Sequence, residues 1–231
     1  RANDGGWNEE VMTAGAGNSF SAEIPAQASG SVDYYLSASD ATGNTGSLPA
    51  FAPESLFNFL VATSIDDVEV VGDWVAGAAG DNATSGLWEL VDPNATSAQP
   101  EDDHTTDGVN CWITGQQTIG QGDGFNDVDG GATTLFSPVY DLSAYSEATL
   151  RYWKWYSNNM GNSPNADYWD VSLSNDGGVS WEVLEHTTQS TNAWVSHTVN
   201  ILDYFTELGQ VQLKFVASDE SSGSLVEAGI D

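Results

Sequence analysis

Positive charge is scarce in this chain: four Lys and Arg stand against 34 Asp and Glu, a formal net charge of -30. That deficit argues against nucleic acid as a partner, because phosphates need basic side chains to displace their counterions. It argues equally against anionic membrane surfaces. No apolar run approaches the ~20 residues that a spanning helix needs, so membrane insertion is not expected. Cysteine is nearly absent. Cys111 stands alone, which excludes an intrachain disulfide and leaves the redox compartment open. Its setting, Val109-Asn-Cys-Trp-Ile113, reads as a small buried apolar residue rather than a reactive thiol.

The motifs of catalysis are missing too. His104, His186 and His197 are the only histidines, and none has a zinc-binding spacing. There is no Gly-x-Ser-x-Gly elbow and no phosphate-cradling loop with a lysine. Close carboxylate pairs are so common among 34 acids that they do not mark a glycosidase. No enzymatic role is expected.

What is present is β-patterning. Short alternating or apolar runs recur between Gly, Asn, Asp and Ser clusters, and no long stretch has helical periodicity. At 231 residues and 40% hydrophobic content, the chain suffices for one large β-domain or for a small one and a larger one. The first part predicts strands at Ser19–Ile24, Ser31–Ser39 and Leu56–Val61, with a turn over Asp40-Ala-Thr-Gly-Asn44. About four strands are fewer than an immunoglobulin-like sandwich needs. The tract from Asp4-Gly-Gly-Trp7 to Asn44 resembles the C-terminal half of bacterial Ig-like or fibronectin type III-like domains. Residues 1–62 are therefore expected to form a truncated Ig-like β-sandwich. The chain starts at Arg1 without a Met and reads as an excised or processed piece.

Residues 63–231 predict a larger jelly-roll β-sandwich. Strands are expected at Asn110–Thr114, Thr133–Phe136, Ala148–Ser157, Tyr168–Ser174, Ser180–Glu185, Ala193–Asn200 and Val211–Ala217. Asn175-Asp-Gly-Gly178 reads as a hairpin turn, residues 201–207 as a single helical turn, and Gln99-Pro-Glu-Asp-Asp-His104 as an acidic loop. Asn82-Ala-Thr84 and Asn94-Ala-Thr96 fit the short glycosylation pattern.

Several motifs in this second part carry a resemblance. They are Gly80-Asp-Asn-Ala-Thr-Ser-Gly86, Gln99–Thr105, Asp127-Val-Asp-Gly-Gly131, Ser137–Leu142, Tyr152–Asn158, Ser174–Gly178 and Phe215–Asp219. In that order, over about 165 residues, they resemble the MAM-like jelly-roll modules attached to secreted bacterial proteins, often peptidases. The family pattern continues past Ile230-Asp231 into one more strand. The resemblance implies an extracellular or cell-surface accessory module, working in adhesion beside other domains of a parent chain.

Two kinds of binding residue stand out. Asp127 and Asp129, two apart beside Gly130 and Gly131, could gather oxygens around a hard cation such as calcium (Ca²⁺). The resemblance implies that Asp67, Glu69, Glu227 and Asp231 approach the same turn, making one structural Ca²⁺ site. The other reading is of ordinary turn and edge residues, with Asp127 capping a turn. Asp102 and Asp103 form a second candidate metal pair, set against a plain solvated loop.

In a strand over Leu150–Tyr156, Arg151, Trp153 and Trp155 face one way and Leu150, Tyr152, Lys154 and Tyr156 the other. With Asn158 and Asp167, Trp153 and Trp155 could make a carbohydrate platform; the competing reading is core packing on both faces. Arg151 and Lys154 are expected to pair with neighbouring acids. The reading is thus a non-catalytic extracellular accessory module stabilised by Ca²⁺. The alternatives are a carbohydrate-binding module recognising an extracellular glycan, or a structural subunit completed by neighbouring subunits of a surface filament.

Overall fold

The computed structural model describes residues 1–2, 5–27, 30–105, 108–220 and 223–231. Asp4, which opens the Ig-like tract, lies outside them. The chain divides into two compact units, Arg1–Asp66 and Asp67–Asp231, and every strand pairing within them is antiparallel.

The first unit holds β1 (Thr13–Ala14), β2 (Phe20–Ser21), β3 (Gly30–Tyr34), β4 (Leu36–Ser39), β5 (Thr45–Leu48) and β6 (Phe57–Val61). They pair as three two-stranded ladders, β1–β2, β3–β6 and β4–β5. The single strand expected over Ser31–Ser39 breaks at Tyr35, because its two halves take different partners. The turn at Asp40 forms as expected. The Asn44 side-chain amide, donating to Asp40 Oδ2, does most to hold this carboxyl far below the usual range, helped by the Thr42 hydroxyl and the amides of Asn44 and Thr42 on Oδ1.

The second unit is a two-sheet sandwich. In chain order it comprises β7 (Val75–Ala76), β8 (Trp88–Val91), β9 (Cys111–Thr114), β10 (Gly131–Phe136), β11 (Tyr140–Asp141), β12 (Thr149–Gly161), β13 (Trp169–Ser174), β14 (Glu182–Thr187), β15 (Val195–Asn200), a 3-10 turn at Ile201–Asp203, β16 (Gln210–Asp219) and β17 (Ser224–Ile230). One sheet runs β14-β13-β16-β10-β7, with β11 on β16; the other runs β15-β12-β17-β9-β8. Successive strands pass back and forth between the sheets, giving the all-β jelly-roll-type sandwich that the spacing predicts.

Strand alternation explains the core. Trp169, Val171 and Leu173 of β13 meet Val211, Leu213, Phe215 and Ala217 of β16 on one inner face. Tyr152 and Tyr156 of β12 and Val226, Ala228 and Ile230 of β17 line the other. Burying each Val, Leu, Ile or Phe among them contributes roughly 1.5–3 kcal/mol. Trp169 sits at the centre, its ring 5.8 Å from Tyr156 and 6.0 Å from Phe215.

The outer faces differ. Over the β12–β17 face lies the segment 96–105, whose Ala98 and Gln99 are buried despite a polar, acidic sequence. Trp155 donates its indole N–H to the Ala98 carbonyl at 2.6 Å, and Trp194 donates to the Asp102 carbonyl at 3.0 Å. That face is roofed. The outer face of β16, β10 and β7 instead carries an open groove.

Candidate functional site

Four of the acids expected to form one cation site fall into two separate groups. Glu227 of β17 and Asp231, just past its end, fall on the same side of the sheet, but four residues of extended chain set them ~13 Å apart. Each gathers its own neighbours.

The first group joins Glu69, Asp103 and Asp231. Glu69 Oε1 accepts from the amides of Val109 (2.8 Å) and Asn110 (3.0 Å), bonds that hold its carboxyl below the usual range. Asp231 Oδ2 accepts from the His104 amide at 3.0 Å and the Thr105 hydroxyl at 2.8 Å. Gly108 lies between Glu69 and Asp103. A Cβ placed on it would press on Glu69 Oε1 and Asp103 Oδ2, so a side chain there would push the two carboxylates aside. Burial, then the charges of Asp231, Asp102 and Glu69, push the Asp103 carboxyl up to about 6. Asp231 is also raised, by burial, and is nine-tenths buried. Asp103 Oδ2 and Asp231 Oδ1 are shielded from solvent and accept no hydrogen bond from the described residues. Asp67 and Asp102 are exposed at the margin.

The second group is Asp127 with Glu227. Both are buried, at 3% and 2% exposure. Burial and the Asp129 charge lift Asp127 to about 6; burial, with Asp127 adding, lifts Glu227 well above the usual carboxylate range. Glu227 Oε2 accepts from the Thr114 hydroxyl at 3.0 Å, and Asp127 Oδ2 from the Val226 amide at 3.4 Å. Asp129 is exposed and accepts from Ser85 at 3.3 Å. Among the described residues, no three His, Cys, Asp or Glu side chains stand ready-made as a metal cage.

The ring row expected on β12 faces outward as predicted, yet it lies under the roof. His104 stacks on Trp153 with ring centroids 3.4 Å apart, Arg151 lies over the same ring at 5.1 Å, and Trp194 meets Trp155 edge-on. Asn158 and Asp167 are wholly interior, at 0% and 1% exposure; the Asn158 amide donates to the Asp167 carbonyl, and Asp167 Oδ1 accepts from the Glu220 amide. Tyr152 and Tyr156 belong to the core. The four residues therefore do not make an open platform, because residues 96–105 occupy the space a sugar would need. Lys154 does pair with an acid, Glu185, at 2.5 Å, whereas Arg151 rests on Trp153.

A second ring set lies on the open face. The groove there has a volume of about 490 Å³. Phe136 of β10 stands directly opposite Lys214 of β16, and the pleat turns both outward with Thr134, Gln212 and Val216. Trp181, just after the Asn175–Gly178 turn, reaches over this row. Its centroid is 5.8 Å from that of Phe136, and Lys214 Nζ lies 4.7 Å above its ring. Gly178, at φ +89°, supplies the turn; a Cβ on it would come within 2.7 Å of Gln212 Oε1. Asp81 is fixed by the Thr134 hydroxyl on Oδ1 and by the amides of Ala78 and Thr134 on Oδ2. This group escaped the sequence reading. Its signal was the outward register of β16, Gln212-x-Lys214-x-Val216, beside a tryptophan placed just beyond a Gly-Gly turn.

No protein-family model matches the chain, and no curated protein does. Among solved structures it is similar to a family 61 carbohydrate-binding module in complex with β-1,4-galactotriose. That likeness has 13% identity and a TM-score of 0.41, and covers 71% of this chain and 88% of that one. A carbohydrate-binding module described within the β-sandwich superfamily covers 99% of this chain and 86% of its own, at 11% identity and a TM-score of 0.42. The K3 cleaved adhesin domain of Lys-gingipain from Porphyromonas gingivalis W83 gives 14% identity and a TM-score of 0.34, over 69% and 89%. Likenesses this distant do not bear on function.

Proposed function

We propose that this chain is a non-catalytic accessory module of a secreted or cell-surface protein, and that Ca²⁺ pins the 96–105 roof to its sandwich. The observation that supports this is the pair of solvent-shielded carboxylate oxygens, Asp103 Oδ2 and Asp231 Oδ1, which accept no hydrogen bond from the described residues, with Asp103 feeling the charge of Asp231. Buried carboxylates left so are costly, and a hard divalent cation offsets both the repulsion and the missing bonds. Glu69 would complete the acidic set, already held just past the roof by Val109 and Asn110. Oxygen donors alone suit Ca²⁺ rather than zinc, which prefers Cys and His. The ion would tie the lead-in to the sandwich, the roof and the end of β17 together.

Thermal unfolding of the full chain in Ca²⁺ and in chelator tests this. One ion at 100 times its dissociation constant adds about 2.7 kcal/mol, and Asp103→Asn with Asp231→Asn should abolish the gain. Identical unfolding in Ca²⁺ and in chelator would sink the reading. A second reading is glycan binding within the same accessory role. The open groove beside Trp181 favours it, while the roofed Trp153 and Trp155 do not.

A further inference from the structure

We propose that the groove on the outer face of β16 and β10 binds a neutral pyranose chain, with Trp181 and Phe136 as its apolar wall and Lys214 and Asp81 as its polar contacts. This rests on the glycan reading and gives it a place and a ligand class.

A pyranose ring has an apolar C–H face and an equatorial fringe of hydroxyls, each able to donate and accept. The groove offers both chemistries side by side. Its wall is two aromatic rings 5.8 Å apart, and rings of this kind bury large apolar area at fixed geometry. Its donor is unusual. Two of the four bases in this chain are held by acids, Arg1 by Asp33 and Lys154 by Glu185. Among the described residues Lys214 makes no salt bridge in a chain with 34 acids; it rests on Trp181 instead. An ammonium so held keeps its three N–H groups for a ligand's oxygens.

The acceptor side is Asp81. Its Oδ1 takes one hydrogen bond, from the Thr134 hydroxyl, and a carboxylate oxygen has room for another. The same three bonds fix its position, so it meets a ligand preorganised.

Charge selects the class of sugar. A uronate could pair with Lys214, but it would also meet Asp81 at the site and a net charge of -30 on approach, which outweigh one ammonium. Hydroxyls face neither penalty and can use Asp81 as an acceptor. Nucleic acid is excluded on the same ground. An extended peptide seeking strand addition needs a free sheet edge, whereas this is a sheet face.

The test is affinity electrophoresis of the full chain, with Ca²⁺ present, through gels holding neutral xylan, galactan, glucan or mannan, and polygalacturonate as the charged probe. Retardation by at least one neutral polysaccharide and none by polygalacturonate is expected. Trp181→Ala and Lys214→Met should each weaken it about tenfold or more, while Trp155→Phe, under the roof, leaves it unchanged. Lys214→Met keeps the aliphatic stem and decides the matter if Trp181→Ala does not fold by circular dichroism. Absence of retardation by every polysaccharide, charged or neutral, overturns both the groove and the glycan reading. Retardation at wild-type strength in every folded groove variant overturns the groove alone, and retardation by polygalacturonate only overturns the neutral class. The Ca²⁺ reading has its own readout in unfolding and is untouched by any of these results.

Discussion

Lys154 lies on the inward face of β12, 2% exposed, with Nζ 2.5 Å from Glu185 Oε1 and 6.0 Å from the Trp169 ring. The pair joins the two sheets through the core, since Glu185 belongs to β14. Removing one member of such a pair leaves the other charged and under-solvated, which typically costs more than the pair contributes when intact. Lys154→Met should therefore destabilise the unit by about 3 kcal/mol, measured by denaturant unfolding. Lys154→Met with Glu185→Leu should recover most of that loss. A double variant as unstable as the single would show that the cost lies in packing around Trp169 rather than in the orphaned acid. The alternation of Leu150–Tyr156 is enough to put Lys154 on the inward side, where a buried ammonium calls for an acid partner. Which acid was not legible, because β14 reaches it from 31 residues away.

At the scale of elements, the β13–β14 hairpin shows how a turn is held by charge. Asp176 Oδ1 accepts from the amides of Val179 and Ser180 and from the Ser174 hydroxyl, and Oδ2 accepts from the Ser180 hydroxyl at 2.6 Å. The Ser180 bonds are the largest cause holding its carboxyl down to about 2. A depressed folded-state pKa gives stability that is present above the unfolded value, near 3.9, and is lost as pH falls through the folded one. Asp176→Ala should accordingly lower Tm at pH 7, and the deficit relative to wild type should shrink between about pH 4 and pH 2. A deficit that stays constant across that window would mean the side chain acts by shape alone. This hairpin was legible, because Asp-Gly between two alternating runs is a local signal. The roof over β12 was not. Gln99–His104 read as an acidic loop, and only tertiary contact around it, Ala98 with Trp155 and Asp102 with Trp194, makes it part of a roof. The same event hides the aromatic platform, since both faces of β12 are ring-rich and composition cannot tell which one stays open.

For the molecule as a whole, the acids act at two ranges, and the two can be separated. Most of the 34 are scattered over the surface and repel one another through solvent, an effect that salt screens as the Debye length falls from about 30 Å at 0.01 M to about 3 Å at 1 M. Glu69, Asp103 and Asp231 meet at short range, where salt screens little. Their grouping was only half legible. Glu69 and Asp231 were expected together, but Asp103 was assigned to a separate pair, and Glu227 was joined to Asp231 although the strand rise between them forbids a shared ligand. Raising NaCl from 0.01 to 1 M without Ca²⁺ should raise Tm, as surface repulsion is screened. Adding millimolar Ca²⁺ at 1 M NaCl should raise it again, because a divalent ion offsets the shielded oxygens of Asp103 and Asp231 far better than sodium with half its charge. The second increment should vanish in Asp103→Asn with Asp231→Asn while the first persists. If Ca²⁺ adds nothing once salt is high, its effect is diffuse screening, and the three carboxylates are a strained acidic cluster rather than a cation site.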